Sequence, residues 1–140
     1  MGTLHLTFRQ PQINIYVANV EATVAFYRDL FGLRETFRTP EHGEPIHAEL
    51  RLDGLVLGFA TIESARRLHG LAAGSGPPRA ELVLWTDDVD AAYAALTEKG
   101  AHPMSPPHDF IGNLRAAWVA DPDGNPIQIV MRRAAGPDGP

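Results

Sequence analysis

Residues 13–33 read INIYVANVEATVAFYRDLFGL, and residues 82–101 read LVLWTDDVDAAYAALTEKGA. The two stretches share one plan. In the first, Ile13, Ile15 and Val17 alternate with Asn14 and Tyr16, the period of a half-buried strand. Asn19 follows where a helix N-cap belongs, Val20, Val24, Tyr27 and Phe31 then recur at helical spacing, and Gly32 stands at the helix stop. In the second, Leu82 and Leu84 alternate with Glu81, Val83 and Trp85, Asp88 caps a helix carrying Val89, Tyr93 and Leu96, and Gly100 closes it. The caps Asn19 and Asp88 are 69 positions apart, as are Val24 and Tyr93, and Tyr27 and Leu96.

The repeat continues outward. Behind the first helix, residues 33–39 read as a strand and residues 40–45 (PEHGEP) as a turn. In residues 46–52, Ile46, Ala48, Leu50 and Leu52 share one face and His47, Glu49 and Arg51 the other. Asp53-Gly54 is a hairpin signal before a strand over residues 55–60. Behind the second helix, Pro103, Pro106 and Pro107 read as turns, residues 114–120 as a strand, Asp121-Pro122-Asp123-Gly124 as a turn and residues 127–131 as a last strand. The two late turn pairs, Asp53-Gly54 and Asp123-Gly124, are 70 positions apart. One βαβββ unit is therefore written twice, over about 12–61 and 80–131. The expectation is an α+β fold in a single domain over 1–131, with a short helix at 62–69 and a Gly/Pro-rich linker at 70–79. Residues 132–140 are expected to form a flexible tail.

Composition narrows the function. The chain has 140 residues, with 12 basic and 17 acidic side chains, a net charge of −5 and no cysteine. A mildly acidic chain without a Lys/Arg cluster is a poor partner for nucleic acid or an anionic membrane. Zero cysteine excludes disulfides, thiolate metal sites and cysteine nucleophiles together. No apolar run approaches a membrane span, and no secretory signal is legible at the start, so a cytoplasmic protein is expected. Glycine-rich phosphate loops and the Gly-x-Ser-x-Gly elbow are also lacking.

Each unit buries its apolar strand positions under its own helix. In the first, the other face carries Gln12, Asn14, Tyr16, His47, Glu49 and Arg51. Two readings of that face stand: the wall of a polar cleft, or the wet side of an antiparallel sheet.

The strand–helix segments 13–33 and 82–101, with Phe26-Tyr27-Arg28-Asp29 before Gly32-Leu33 and VADPDGNPIQIV at 119–130, resemble the vicinal oxygen chelate superfamily. That superfamily includes glyoxalases, bleomycin-resistance proteins and extradiol dioxygenases. The resemblance covers roughly residues 12–131. It implies paired βαβββ modules forming a cup-shaped mixed sheet with helices outside, in a chain that works as a homodimer.

The resemblance also implies where a divalent metal would be held: the first and last strands of each module. By register these positions are Gln12, Gly58, Glu81 and Gln128. Glycine offers no donor, neutral amides are weak ligands, and one carboxylate does not hold a transition metal. No metal and no cofactor are expected. His47, Glu49 and His108 are the residues from which an atypical site would be assembled.

The resemblance is closest in character to the bleomycin-resistance type, which implies a metal-free protein sequestering an antibiotic or other organic metabolite. The expected ligand-binding residues are Gln12, Asn14, Tyr16, His47, Glu49, Arg51, Glu81, Trp85, Trp118 and Gln128. Trp85 offers a stacking surface beside Glu81, and the carboxylates favour an amine-bearing ligand. Trp118 either lines the cup or packs beneath a helix. Phe110-Ile111-Gly112, in a Pro-flanked loop, reads as a lid, as a reach across a dimer or as simple packing. The alternative is a lyase, isomerase or dioxygenase. Its catalytic candidates are Glu81 or Glu49, as a base raised in pKa by an apolar cup, with His47 as partner. A module without a ligand of its own is the third reading.

Overall fold

The computed structural model describes Thr7, residues 9–74 and residues 76–133. The chain divides into two compact units, Met1–Gly74 and Ser75–Pro140, and the division falls inside the segment read as linker. The first unit runs β1 (Ile13–Val17), α1 (Val20–Phe31), β2 (Arg34–Thr39), β3 (His47–Leu52), β4 (Leu55–Thr61) and α2 (Ile62–His69). The second runs β5 (Leu82–Trp85), α3 (Val89–Glu98), β6 (His102–Phe110), β7 (Leu114–Ala120) and β8 (Pro126–Arg132). Their sheets have the same topology, β1-β4-β3-β2 and β5-β8-β7-β6. In each, the first and last strands pair in parallel and the rest are antiparallel. The fold is the α+β arrangement of duplicated βαβββ modules.

The helix ends form for the reasons legible in the sequence. Asn19 Oδ1 accepts the Ala22 N–H at 2.9 Å, and Asp88 Oδ1 accepts the Ala91 N–H at 3.1 Å. Gly32 ends α1 in the left-handed region at φ 75°, where a side chain would be strained. Either cap replaced by Ala is expected to cost about 1 kcal/mol. Thermal denaturation should show this as a fall in Tm of roughly 2–5 °C for a chain of this size.

The core of the first unit lies between α1 and its sheet. Val20, Val24 and Tyr27 meet Val17, Leu50, Leu57 and Phe59, all buried, and the Tyr27 ring stacks on Phe59 at 4.9 Å. In the second, Val89 and Leu96 of α3 are buried, as are Ala117, Val119, Ile127 and Ile129. Each helix is also tied to its sheet by an arginine. Glu21 and Asp90 hold equivalent places in α1 and α3. Arg38 reaches Glu21 at 2.7 Å from β2, and Arg115 reaches Asp90 at 2.7 Å from β7. Such exposed pairs add little stability each, but their two-pronged geometry orients the helix start.

The structure corrects three expectations. Pro103, Pro106 and Pro107 lie within β6, not in turns. β6 is an edge strand, so a missing N–H costs nothing on its open side, and register shifts at Pro103/Ser105 and Ser105/His108 absorb the others. Phe110 accordingly ends β6, and a single 3-10 turn over Ile111–Asn113 follows, rather than a long loop. Ile13 was expected on a buried face but is 60% exposed, because it opens an edge strand with a neighbour on one side only. Arg132 belongs to β8, and Arg133 exchanges backbone and side-chain hydrogen bonds with Asn113 at 2.8 and 2.9 Å, so the ordered chain extends past the expected tail start. The rest of that tail, 134–140, lies outside the described residues.

The Asp121 turn has a specific anchor. Asp121 is buried; its Oδ1 accepts the backbone N–H of Asp123 and of Asn125 at 2.9 and 2.8 Å, and its Oδ2 accepts the Asn125 amide at 3.0 Å. Among the described residues, no helix is long and apolar enough to cross a membrane.

Candidate functional site

In the first unit, the sheet face away from α1 is polar. Register places Asn14, Gly58 and Glu49 in one row across β1, β4 and β3, and Tyr16, Ala60 and His47 in the next. Gly58 is the pivot. A Cβ there would collide with Asn14 Oδ1 and lie 3.2 Å from Gln12 Nε2, so two amide side chains rest across the bare backbone. Gln12 Nε2 donates to Asn14 Oδ1 at 2.8 Å and to Glu49 Oε2 at 3.2 Å. The same Glu49 oxygen meets His47 Nε2 at 3.2 Å. Arg51 lies on this face one row further along β3 and is exposed.

The hydrogen bond from His47 holds the Glu49 carboxyl below its ordinary value; burial opposes this, and the bond from Gln12 adds to it. This corrects the expectation of a raised carboxylate. Glu49 is an acceptor held ionised and a poor base near neutral pH. Its folded pKa lies below its unfolded one, so its contribution to stability is present above the ordinary carboxylate range and is lost as pH falls through the folded value. With Glu49 about a quarter exposed, that contribution is below about 1 kcal/mol. Urea denaturation from pH 7 to pH 3 should show Glu49→Gln less stable than the parent at neutral pH, with the two converging at the acid end.

In the second unit, the face away from α3 carries Val83 and Trp85 of β5, Gln128 of β8 and Trp118 of β7, with Val83, Gln128 and Trp118 in one row. Trp118 thus lies opposite α3, which settles the orientation its sequence left open. Its Nε1–H donates to Glu81 Oε2 at 2.7 Å, and the His108 ring stacks on it at 5.7 Å with 19° between planes. Trp85 is 59% exposed, and the Arg132 guanidinium lies 5.3 Å from its ring centroid. Trp85, Asp87, Met131 and Arg132 border a shallow hollow of about 560 Å³.

The expected residues therefore fall into two groups. Gln12, Asn14, His47 and Glu49 form one hydrogen-bonded network, with Tyr16 beside it and Arg51 outside it. Glu81 and Trp118 form a direct pair, with Gln128 next to Trp118 in its row and Trp85 further along the first strand of the unit. Sequence reasoning missed Arg132. It stands two places after Val130, which pairs with Trp85, so strand period alone would have put it on this face. The short helix expected at 62–69 forms as α2; what the sequence did not show is that its residues roof part of the first unit's polar face.

As a metal site this donor set is poor. In the first unit Gln12 is committed to Asn14 and Glu49, and the space above Gly58 is filled by the Asn14 amide. In the second, Glu81 is the anionic member of the expected pair Glu81 and Gln128, and it already accepts from Trp118. Among the described residues, no three His, Asp or Glu side chains are grouped to hold a metal ion.

Comparison with known proteins agrees with the fold. The family described as Glyoxalase/Bleomycin resistance protein/Dioxygenase superfamily matches residues 9–129. No curated protein matches the chain. Among solved structures, TioX from Micromonospora sp. ML1 is 21% identical with a TM-score of 0.71, over 89% of this chain and 99% of that one. A glyoxalase-related enzyme from Fulvimarina pelagi is 24% identical with a TM-score of 0.74, over 95% of this chain and 96% of that one. A glyoxalase/bleomycin resistance protein/dioxygenase family enzyme from Burkholderia phytofirmans PsJN is 25% identical with a TM-score of 0.71, over 84% of this chain and 93% of that one.

Proposed function

The chain belongs to the Glyoxalase/Bleomycin resistance protein/Dioxygenase superfamily, and on that footing we propose that it binds an amine-bearing aromatic molecule without a metal ion. The ligand class is an antibiotic or other organic metabolite, and the role is sequestration. The observation that carries this reading is the Glu81–Trp118 pair. One carboxylate oxygen is fixed by the indole N–H, and the other has no partner among the described residues. An ammonium or amidinium group has a held acceptor there, and the ring of Trp85 stands exposed further along the same sheet face. The poor metal donors of both units support the same reading.

Both tryptophans of the chain lie in the second unit, so its indole emission reports on this face alone. Titration with 9-aminoacridine, a planar aromatic cation, should quench that emission to saturation. Neutral acridine at pH 8 should bind at least about tenfold more weakly, the value of one charge-assisted hydrogen bond. Equal binding of the two, or no saturable quenching, would overturn the proposal. Homodimerisation and a cytoplasmic address belong to the same proposal; light scattering on the eluted peak checks the first.

The His47–Glu49 contact favours a second reading, metal-free acid–base chemistry. With Glu49 held ionised, His47 is the proton-exchanging partner and Glu49 orients it. In a turnover screen of small aldehydes and ketones, that reading expects activity lost in His47→Gln and kept in Arg51→Gln.

A further inference from the structure

β5 stops before the strand it pairs with. Its last residue, Trp85, pairs with Val130, and β8 runs on through Met131 and Arg132. The chain meanwhile leaves the sheet at Thr86 and Asp87 and enters α3 under the Asp88 cap. Both sides of the gap are anchored. Thr86 donates its N–H to the Val130 carbonyl at 3.0 Å, and Met131 Sδ accepts the Val89 N–H at 3.3 Å. The notch left beyond the end of β5 is the hollow of about 560 Å³ bordered by Trp85, Thr86, Asp87, Met131 and Arg132. Its volume falls within the roughly 300–1,000 Å³ of small-molecule sites.

Two opposite charges border this notch without closing on each other. Neither the Asp87 carboxylate nor the Arg132 guanidinium has a hydrogen bond or ion pair among the described residues. Elsewhere in the same unit such groups do close: Arg115 meets Asp90 at 2.7 Å and Asp109 at 2.9 Å, and Arg133 meets Asp109 at 3.5 Å. Arg132 lies instead against the Trp85 ring, 5.3 Å from its centroid, where the negative face of the indole attracts it. Its N–H donors stay open. An acid and a base held apart across one hollow, beside an exposed indole and a thioether, match a molecule that carries an ammonium, a carboxylate and an aromatic ring.

We propose that this notch binds a free aromatic amino acid. Arg132 donates to the carboxylate, Asp87 accepts from the ammonium, and the ring lies against Trp85 and Met131. An amine alone leaves Arg132 unmatched, and a carboxylate alone leaves Asp87 unmatched. The inference goes beyond the amine-binding reading and does not rest on it: Trp85 borders both places, but Glu81 does not line the notch.

L-Phenylalanine, phenethylamine and hydrocinnamate share one skeleton and carry both charges, the amine alone or the carboxylate alone. NMR spectra of the full chain at pH 7.5 should show phenylalanine shifting the backbone amides of Thr86, Asp87, Met131 and Arg132 and the Trp85 indole N–H. The shifts should saturate, with affinity at least about tenfold above that of either analogue. Asp87→Asn should weaken phenylalanine about tenfold or more and leave hydrocinnamate no weaker. Arg132→Gln should weaken phenylalanine as much and leave phenethylamine no weaker. Both positions are exposed, so the fold should be kept in both variants. Glu81→Gln, which tests the amine-binding reading, should leave phenylalanine binding unchanged, so the failure of one proposal is seen apart from the failure of the other. An analogue binding as tightly as phenylalanine, phenylalanine undiminished in either notch variant or weakened in Glu81→Gln, shifts confined to other residues, or no saturable shift would overturn the proposal.

Discussion

Phe59→Ala is expected to destabilise the first unit by about 3–5 kcal/mol, the range for deleting a fully buried aromatic ring. Phe59 stands at the middle of β4, between Ile15 of β1 and Ala48 of β3, and has no exposed surface. Its ring stacks on Tyr27 of α1 at 4.9 Å with 25° between planes. Its neighbour in register, Ala48, is buried and small, so the variant leaves a void that this neighbour cannot fill. Against a total stability of roughly 5–15 kcal/mol the loss is large. Urea unfolding should show a lower midpoint at unchanged slope. A loss below about 1 kcal/mol would mean that α1 does not pack on this strand.

Glu81→Gln carries the second large effect. It should weaken 9-aminoacridine binding by about 10–100-fold, from the loss of one charge-assisted hydrogen bond worth about 1.5–3 kcal/mol. The substitution is chosen because Gln can still accept the Trp118 N–H, which now reaches Glu81 at 2.7 Å. Geometry is thus preserved and only the charge is lost. Glu81 is exposed, so the melting temperature should be unchanged. Unaltered affinity would show that the ligand's charge is read elsewhere on the molecule.

The duplicated plan was legible because its punctuation is local. Asn19 and Asp88 cap the residues just after them, Gly32 closes α1 in the left-handed region, and the apolar positions keep strict periods. β6 was not legible because three prolines ordinarily signal a turn. Only its place at the sheet edge, a tertiary fact, makes them harmless.

The site was half legible. Period two placed Asn14, His47 and Glu49 on one face, and the structure brings them into one network around Gly58. What periodicity does not carry is the direction of a pKa shift. Glu49 was expected to be raised by an apolar setting, yet its partners are a histidine and an amide that stabilise its charged form. Nor did the pattern at 62–69 show that α2 would fold back over Ala60, because that depends on how helix and sheet meet.

The most direct measurement is the tryptophan-quenching titration with 9-aminoacridine, run once in excess EDTA and once with iron, nickel, zinc and manganese added in turn. Metal-independent binding predicts saturable quenching with the same Kd in every condition. Binding that disappears with the chelator and returns with one of these ions would contradict it, and would place a metal centre where the residues around Gly58 and Glu81 do not provide one.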